Sequence, residues 1–271
     1  MASESGATKT ATEYIQGHLT NYTVNYSGST IHMDTVITSW LLGAVAFGLL
    51  WLASRAVQKE GVPGKVQAFV ELVYDFVDGQ VKDMFSGDRR FITGVCFTVF
   101  VWILVMNMVK FVPVDFLGLF THLFAPHWKP VATADLNTTL ALSLSVILLV
   151  IVLSIKAKSF GGYMHELFCT PFHGPNIVAI IILAPFNFVF QMIELISKPL
   201  SLALRLYGNM YAGEIIFLLI SLLSAAGIGG VFFGGLLHAG WAIFHILVVP
   251  LQAFIFMMLT AVYLAMAHEA H

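Results

Sequence analysis

The chain has 271 residues, is 58% hydrophobic and only 10% charged, and carries a formal net charge of -2 with a mean hydropathy of +0.86. Soluble domains carry roughly 25% charged residues, so an ordinary soluble domain is excluded; the near-neutral balance also excludes a nucleic-acid footprint. Apolar runs reach bilayer length without strand-like alternation, which predicts an all-α polytopic membrane protein rather than a β-barrel.

Residues 1–35 are polar and lack a basic segment followed by an apolar core. They predict an external polar tail and no cleavable signal peptide. The first span, 36–54, stops at Arg55. Residues 55–90 hold Arg55, Lys59, Lys65, Lys82, Arg89 and Arg90. The positive-inside rule puts this loop in the cytoplasm and the N-terminus outside. Within it, residues 65–85 place Val66, Phe69, Val70, Leu72, Val73, Phe76 and Val77 at helical spacing, with Glu71, Asp75 and Asp78 opposite. An amphipathic helix at the membrane surface fits, with an ordinary water-facing helix as the alternative.

The second span is 91–112, before Pro113. The following loop, 113–135, has Lys129 as its single basic residue other than histidine and reads as external. The third span, 136–155, returns to the cytoplasm at Lys156 and Lys158. His165–Glu166 invites a zinc-peptidase reading, but Cys169 stands where the second histidine belongs. Cys96 and Cys169 have no metal or redox spacing. From 176 to 223 no loop-like break occurs. A continuous helix there would be about 70 Å long, over twice the bilayer core. It either breaks at Pro185 or Pro199 or lies strongly tilted. A glycine-rich turn at 225–235 leads into a last over-long segment, 236–267, and a short C-terminal tail, 268–271, on the cytoplasmic side. Residues 36–267 thus read as one membrane domain.

The stretch FQMIELISKPLSLALRLYGNMYAGE, 190–214, carries charges inside that apolar run. Each costs about 3 kcal/mol at the centre of a bilayer on insertion scales. With Arg205 at zero on a helical wheel, Glu194 falls at about -20°, Lys198 at about +20°, Ser201 at about -40°, and Asn209 and Gln191 at about +40°. Glu214 lies about 180° away and about 13 Å along the axis. His238, His245 and Gln252 recur at seven-residue intervals in the last segment, with Tyr263 near the same line. Antiparallel packing would bring Glu214 toward His245, a pairing suited to proton transfer. Plainer roles compete. Lys198 can snorkel, His238 and Tyr263 can sit at the interface, and Gln252 can join helices. Arg205 can form an internal ion pair with Glu194 or Glu214.

SKPLSLALRLYGNMYAGE at 197–214 and WAIFHILVVPLQAFIFMMLTAVYLAMA at 241–267 resemble the two signature stretches of subunit a of the F-type ATP synthase, bacterial form. GVPGKVQAFVELVYDFV, MNMVKFVPVD and TADLNTTLALSLS extend the likeness over all but the N-terminal tail. The resemblance implies a surface helix, a transmembrane hairpin and two long tilted helices against a c-ring. It implies a non-catalytic, multi-pass inner-membrane stator with peripheral-stalk subunit b and the lipid bilayer as further partners, no cofactor or metal, and no small-molecule substrate beyond the transported ion. Protons would enter and leave by two offset half-channels, coupling their flow to rotation and ATP synthesis, with Arg205 between them. Asn209, Glu214, His245 and Gln252 would serve the periplasmic side; Gln191, Glu194, Lys198 and Ser201 would serve the cytoplasmic side. A sodium-coupled form of the subunit and, more remotely, a secondary transporter are the alternatives.

Two positions depart from the family pattern. Gln191 stands where a carboxylate is usual, so Glu194 is expected to take over on the exit side. Lys110 stands where an acid is usual; it should oppose protons unless it snorkels outward, leaving Asp115 as the entrance carboxylate.

Overall fold

The computed structural model describes residues 20–26, 28–55, 57, 64–85, 87–111, 128–172, 177–224 and 227–268. Asp115 and residues 61–63, which open the GVPGKVQAFVELVYDFV stretch, lie outside them. Six α-helices occur among the described residues: α1 (Met33–Arg55), α2 (Lys65–Met84), α3 (Arg90–Met108), α4 (Leu136–Cys169), α5 (Ile177–Ser224) and α6 (Ile228–His268). All but α2 are long and apolar enough to cross a membrane. The chain is an all-α polytopic membrane protein apart from one small hairpin. That hairpin pairs β1 (Thr23–Tyr26) antiparallel with β2 (Ser29–His32), inside the stretch expected to be a polar tail. Alternating side chains and a glycine turn favour the ladder, and α1 anchors it: Met33 donates its backbone N–H to the Tyr22 carbonyl.

Two compact units emerge. The first comprises the described residues of Met1–Leu49, Trp102–Thr138 and Tyr207–Gln252. Its apolar core includes Val131, Ala134, Met210 and Val249. Asp34 organises one polar corner: it is fully buried and accepts backbone N–H bonds from Tyr22, Thr35 and Lys129. Asp135 organises another, accepting from Thr35 Oγ1 at 2.9 Å and lying 3.0 Å from His32 Nδ1. These two carboxylates tie the β-hairpin and the 128–135 segment to the start of α1. Within this unit α5 and α6 are joined at Gly227, whose φ of 100° suits a residue without Cβ.

The second unit comprises the described residues of Leu50–Val101, Thr139–Leu206 and Ala253–His271. Here α2 lays Val77 and Val81, both fully buried, against its neighbours while Val66, Phe69 and Leu72 stay exposed. Tyr74 meets Phe97 edge-on, and Phe76 meets Phe100 and Phe254. The helix is therefore amphipathic as its periodicity predicts. α4 extends to Cys169, beyond the expected end at 155, as two helical pieces meeting at Ser159 (φ 64°, ψ 159°). Lys158 pairs with Glu166 at 2.8 Å across that bend, so Glu166 is a counter-charge. α5 runs unbroken through Pro185 and Pro199, and α6 through Pro250. Of the two options left by the sequence, breakage is therefore excluded.

One contact outside the spans carries a pH signature. Asp78 of α2 receives Arg89 Nε at 3.0 Å and the Thr93 hydroxyl at 2.9 Å. These bonds, with the Arg89 charge, hold its carboxyl below the usual range. The folded state thus favours the ionised form. The contribution is full above the unfolded value of about 3.9 and fades as pH falls through the lower folded value. An Asp78→Asn variant is expected to have a lower thermal midpoint than the parent at neutral pH, and the gap should narrow below about pH 4. A gap independent of pH would contradict this origin.

Candidate functional site

The polar residues of the long helices fall into two groups, one in each unit. In the first unit α5 and α6 run antiparallel. Asn209 Nδ2 donates to Gln252 Oε1 at 2.7 Å, and Trp241 Nε1 donates to the Gly213 carbonyl at 3.3 Å. Asn209 and Gln252, both expected on one path, are thus brought together. Gln252 is nearly fully buried and Asn209 is exposed.

Glu214 and His245 sit in the same unit, each with a cation that helical spacing does not give it. Glu214 lies 3.3 Å from Lys129 Nζ. Lys129 is only 3% exposed; its ammonium also lies 3.4 Å from the Ala134 carbonyl and 5.4 Å from the centre of the Tyr211 ring. His245 is 1% exposed, with its Nε2 3.0 Å from Lys110 Nζ. Lys110 also donates to the Met210 carbonyl at 3.1 Å, and the Glu214 charge acts on it. Far from snorkelling outward, Lys110 turns into the helix pair. Its stem leaves the short 3₁₀ turn after α3, and the carbonyl and imidazole replace its lost hydration. In the same unit Asn107 and Thr133, both fully buried, share a 2.7 Å hydrogen bond.

Gly213 makes this approach possible. A Cβ there would collide with both His245 Nε2 and Lys110 Nζ. The first unit therefore brings together four ionisable groups, His245 and Lys129 buried and Lys110 and Glu214 half-buried. One signal in the sequence points to the two lysines. A carboxylate in an apolar span needs a cation, and residues 91–135 contain Lys110 and Lys129 but no arginine and no other lysine.

The second unit holds Gln191, Glu194, Lys198, Ser201 and Arg205. Glu194 pairs with Lys198 one turn along α5 at 2.7 Å, half exposed. Lys198 also lies 5.4 Å from the Tyr263 ring centre. Gln191, Glu194 and Ser197, with Pro171, Phe190 and Ile193, line a cavity of about 320 Å³. Ser201 and Leu204 are exposed beside Arg205, which is itself exposed. Its charge reaches Tyr263, yet among the described residues it makes no hydrogen bond or ion pair. The internal ion pairs with Glu194 or Glu214 considered from the sequence are thus not formed: Glu194 has Lys198 and Glu214 has Lys129.

The family model for the ATP synthase A chain matches residues 36–265. The chain is 47% identical to ATP synthase subunit a of Shewanella sediminis over 270 residues, covering 98% of each chain. It is 48% identical to the subunit of Alkalilimnicola ehrlichii, covering 97% of this chain and 98% of the relative. It is 44% identical to that of Pseudomonas aeruginosa, covering 97% and 99%. With the fold, the five membrane-length helices and this coverage agreeing, the chain belongs to the ATP synthase subunit a family, a membrane subunit of the complex rather than a catalytic enzyme in itself.

Proposed function

We propose that this chain is the proton-channel stator subunit of a bacterial F-type ATP synthase. It works beside a ring of c-subunits in the inner membrane and is braced by subunit b, with its N-terminus periplasmic and its C-terminus cytoplasmic. Protons enter through one aqueous half-channel, neutralise a c-ring carboxylate and leave through a second, offset half-channel. Asp115, Glu214, His245, Gln252 and Asn209 belong to the entry side. Gln191, Glu194, Lys198 and Ser201 belong to the exit side, with Glu194 as its carboxylate.

The observation that carries this reading is Arg205, an exposed guanidinium in an apolar helix with no hydrogen-bonding or ionic partner in its own chain among the described residues. A charge in that setting is costly unless an anion outside the chain meets it. The leucines flanking it, Leu200 and Leu204, are also exposed, as suits a face covered by apolar partners. A passing carboxylate would be held ionised there and released as its ring subunit moves on. The test is ATP-driven acidification of vesicles carrying the complex in sodium-free buffer. Acidification is the expected outcome. Ion transport that appears only on adding sodium would replace the proton reading with the sodium-coupled one.

A further inference from the structure

Lys110 has no place in the path as described so far, yet it lies in direct contact with His245. The imidazole is fixed at both nitrogens. Nδ1 lies 3.1 Å from the Trp241 carbonyl, which only accepts, so Nδ1 carries a hydrogen. The one nitrogen left for exchange is Nε2, and it faces Lys110 Nζ at 3.0 Å. A hydrogen bond between these two atoms exists in two forms. Either the Lys110 ammonium donates to a bare Nε2, or an imidazolium Nε2–H donates to a neutral Lys110 amine. Both forms hold the same number of protons and one positive charge. Adding a proton would put two cations in contact, and removing one would leave two bases sharing only the amine's hydrogens.

The surroundings favour a single shared charge. The Phe217 ring centre lies 5.2 Å from the imidazole centre and 5.7 Å from Nζ, and the Trp241 ring centre lies 4.9 Å from the imidazole centre. Glu214 is the anion that acts on Lys110, and Lys129 is in turn paired with Glu214. His238 packs on the Phe217 ring, and Tyr211 faces Lys129. The Met210 carbonyl accepts from Nζ in either form, so the hand-over leaves no backbone partner stranded.

We infer that Lys110 is a proton-carrying residue of the entry path, forming with His245 one two-atom relay through which each proton passes from Nζ to Nε2. In the forward step the Nζ–H bond breaks and Nε2 gains the proton; the neutral amine is refilled from the water side only after the imidazolium has released that proton, so the pair holds one charge throughout. The imidazolium then gives the same Nε2 proton onward toward Glu214 after its bond to the amine opens. The residue thus does more than balance charge. This inference rests on the proton-channel reading above.

Substitutions separate the roles. Arginine keeps the positive charge and the donors but does not deprotonate. Histidine keeps a titrating base. ATP-driven acidification and passive proton conduction are measured for the assembled complex carrying Lys110→Arg, Lys110→Met or Lys110→His, with assembly checked by complex yield. The relay predicts that Lys110→Arg is as impaired as Lys110→Met, about tenfold or more, as for loss of a proton-transfer group. Lys110→His should retain about a third of the flux with its pH optimum moved to lower pH, following the lower intrinsic basicity of imidazole. An Arg variant that conducts as well as the parent would overturn the relay and leave Lys110 a fixed counter-charge. Where the Arg variant fails to assemble, ¹⁵N spectroscopy of His245 in the parent complex decides. A permanently protonated Nδ1 supports the relay, and a bare Nδ1 refutes it. Absence of any acidification by the parent complex without sodium would instead mark failure of the proton-channel reading itself.

Discussion

Replacing Arg205 by alanine is expected to abolish ATP-driven proton pumping while leaving the chain folded and assembled. The guanidinium is exposed and makes no hydrogen bond or ion pair among the described residues, so its removal breaks no such contact and opens no buried cavity. Its effect falls on whatever anion approaches from outside. At about 4 Å and an effective dielectric near 20, the attraction between two unit charges is about 4 kcal/mol. That corresponds to about three pK units for a carboxylic acid. Without it a ring carboxylate in an apolar setting keeps its proton as it passes, and no proton is released to the exit path. The same positive charge repels protons that would cross directly between the two sides. Passive leak through the variant is therefore expected to rise as coupled pumping falls. Arg205→Lys is expected to be nearly as defective, because a partly desolvated amine gives up its proton whereas the guanidinium does not. Acidification at the parent rate by Arg205→Ala vesicles would overturn this role.

The parts of this molecule that were legible in the sequence are those written in local periodicity. Five apolar runs of bilayer length appear as α1, α3, α4, α5 and α6. The wheel position that set Arg205 beside Ser201 corresponds to an exposed face. The amphipathic pattern of 65–85 appears as α2. Two prolines that could have broken α5 did not, since an apolar setting leaves the remaining backbone groups no partner better than the helical ladder. The bend at Ser159 left no sequence signal stronger than the glycines that follow it. The β-hairpin was missed because four-residue strands in a polar segment carry too few alternations to stand out, and its anchor, Asp135, lies 103 residues from His32.

The sequence marked individual costly groups but not the partners that the fold gives them. Glu214 and His245 were visible as costly groups in apolar helices. That Lys129 and Lys110 would supply their partners depends on contacts 85 and 135 residues apart in sequence, which no spacing rule reaches. The charge of Lys129 served as a marker of topology in the sequence, whereas in the fold it is buried. Lys110 looked like an obstacle to protons while its charge alone was weighed. Its position against an imidazole nitrogen gives that charge an exchange partner.

Neutralising Glu214 is expected to damage the protein twice over, through stability and through transport, and the two losses can be separated. Lys129 is 3% exposed and its ammonium has Glu214 as its ionic partner at 3.3 Å. Removing one member of a buried pair costs about 3–5 kcal/mol, because the survivor is left as an uncompensated charge. The amide of Glu214→Gln still accepts a hydrogen bond, so the expected loss lies at the lower end, about 3 kcal/mol, read as a lower thermal midpoint of the assembled complex. The double variant Glu214→Gln, Lys129→Met removes both charges and lets an apolar side chain fill the lysine's place. It should recover most of the midpoint, since replacing a buried pair with apolar groups is often neutral or better. Transport behaves differently if Glu214 passes protons: an amide does not titrate, so acidification should remain low in the single and double variants alike. Recovery of both midpoint and acidification in the double variant would assign Glu214 solely to balancing Lys129. Recovery of the midpoint alone places the carboxylate on the proton's route.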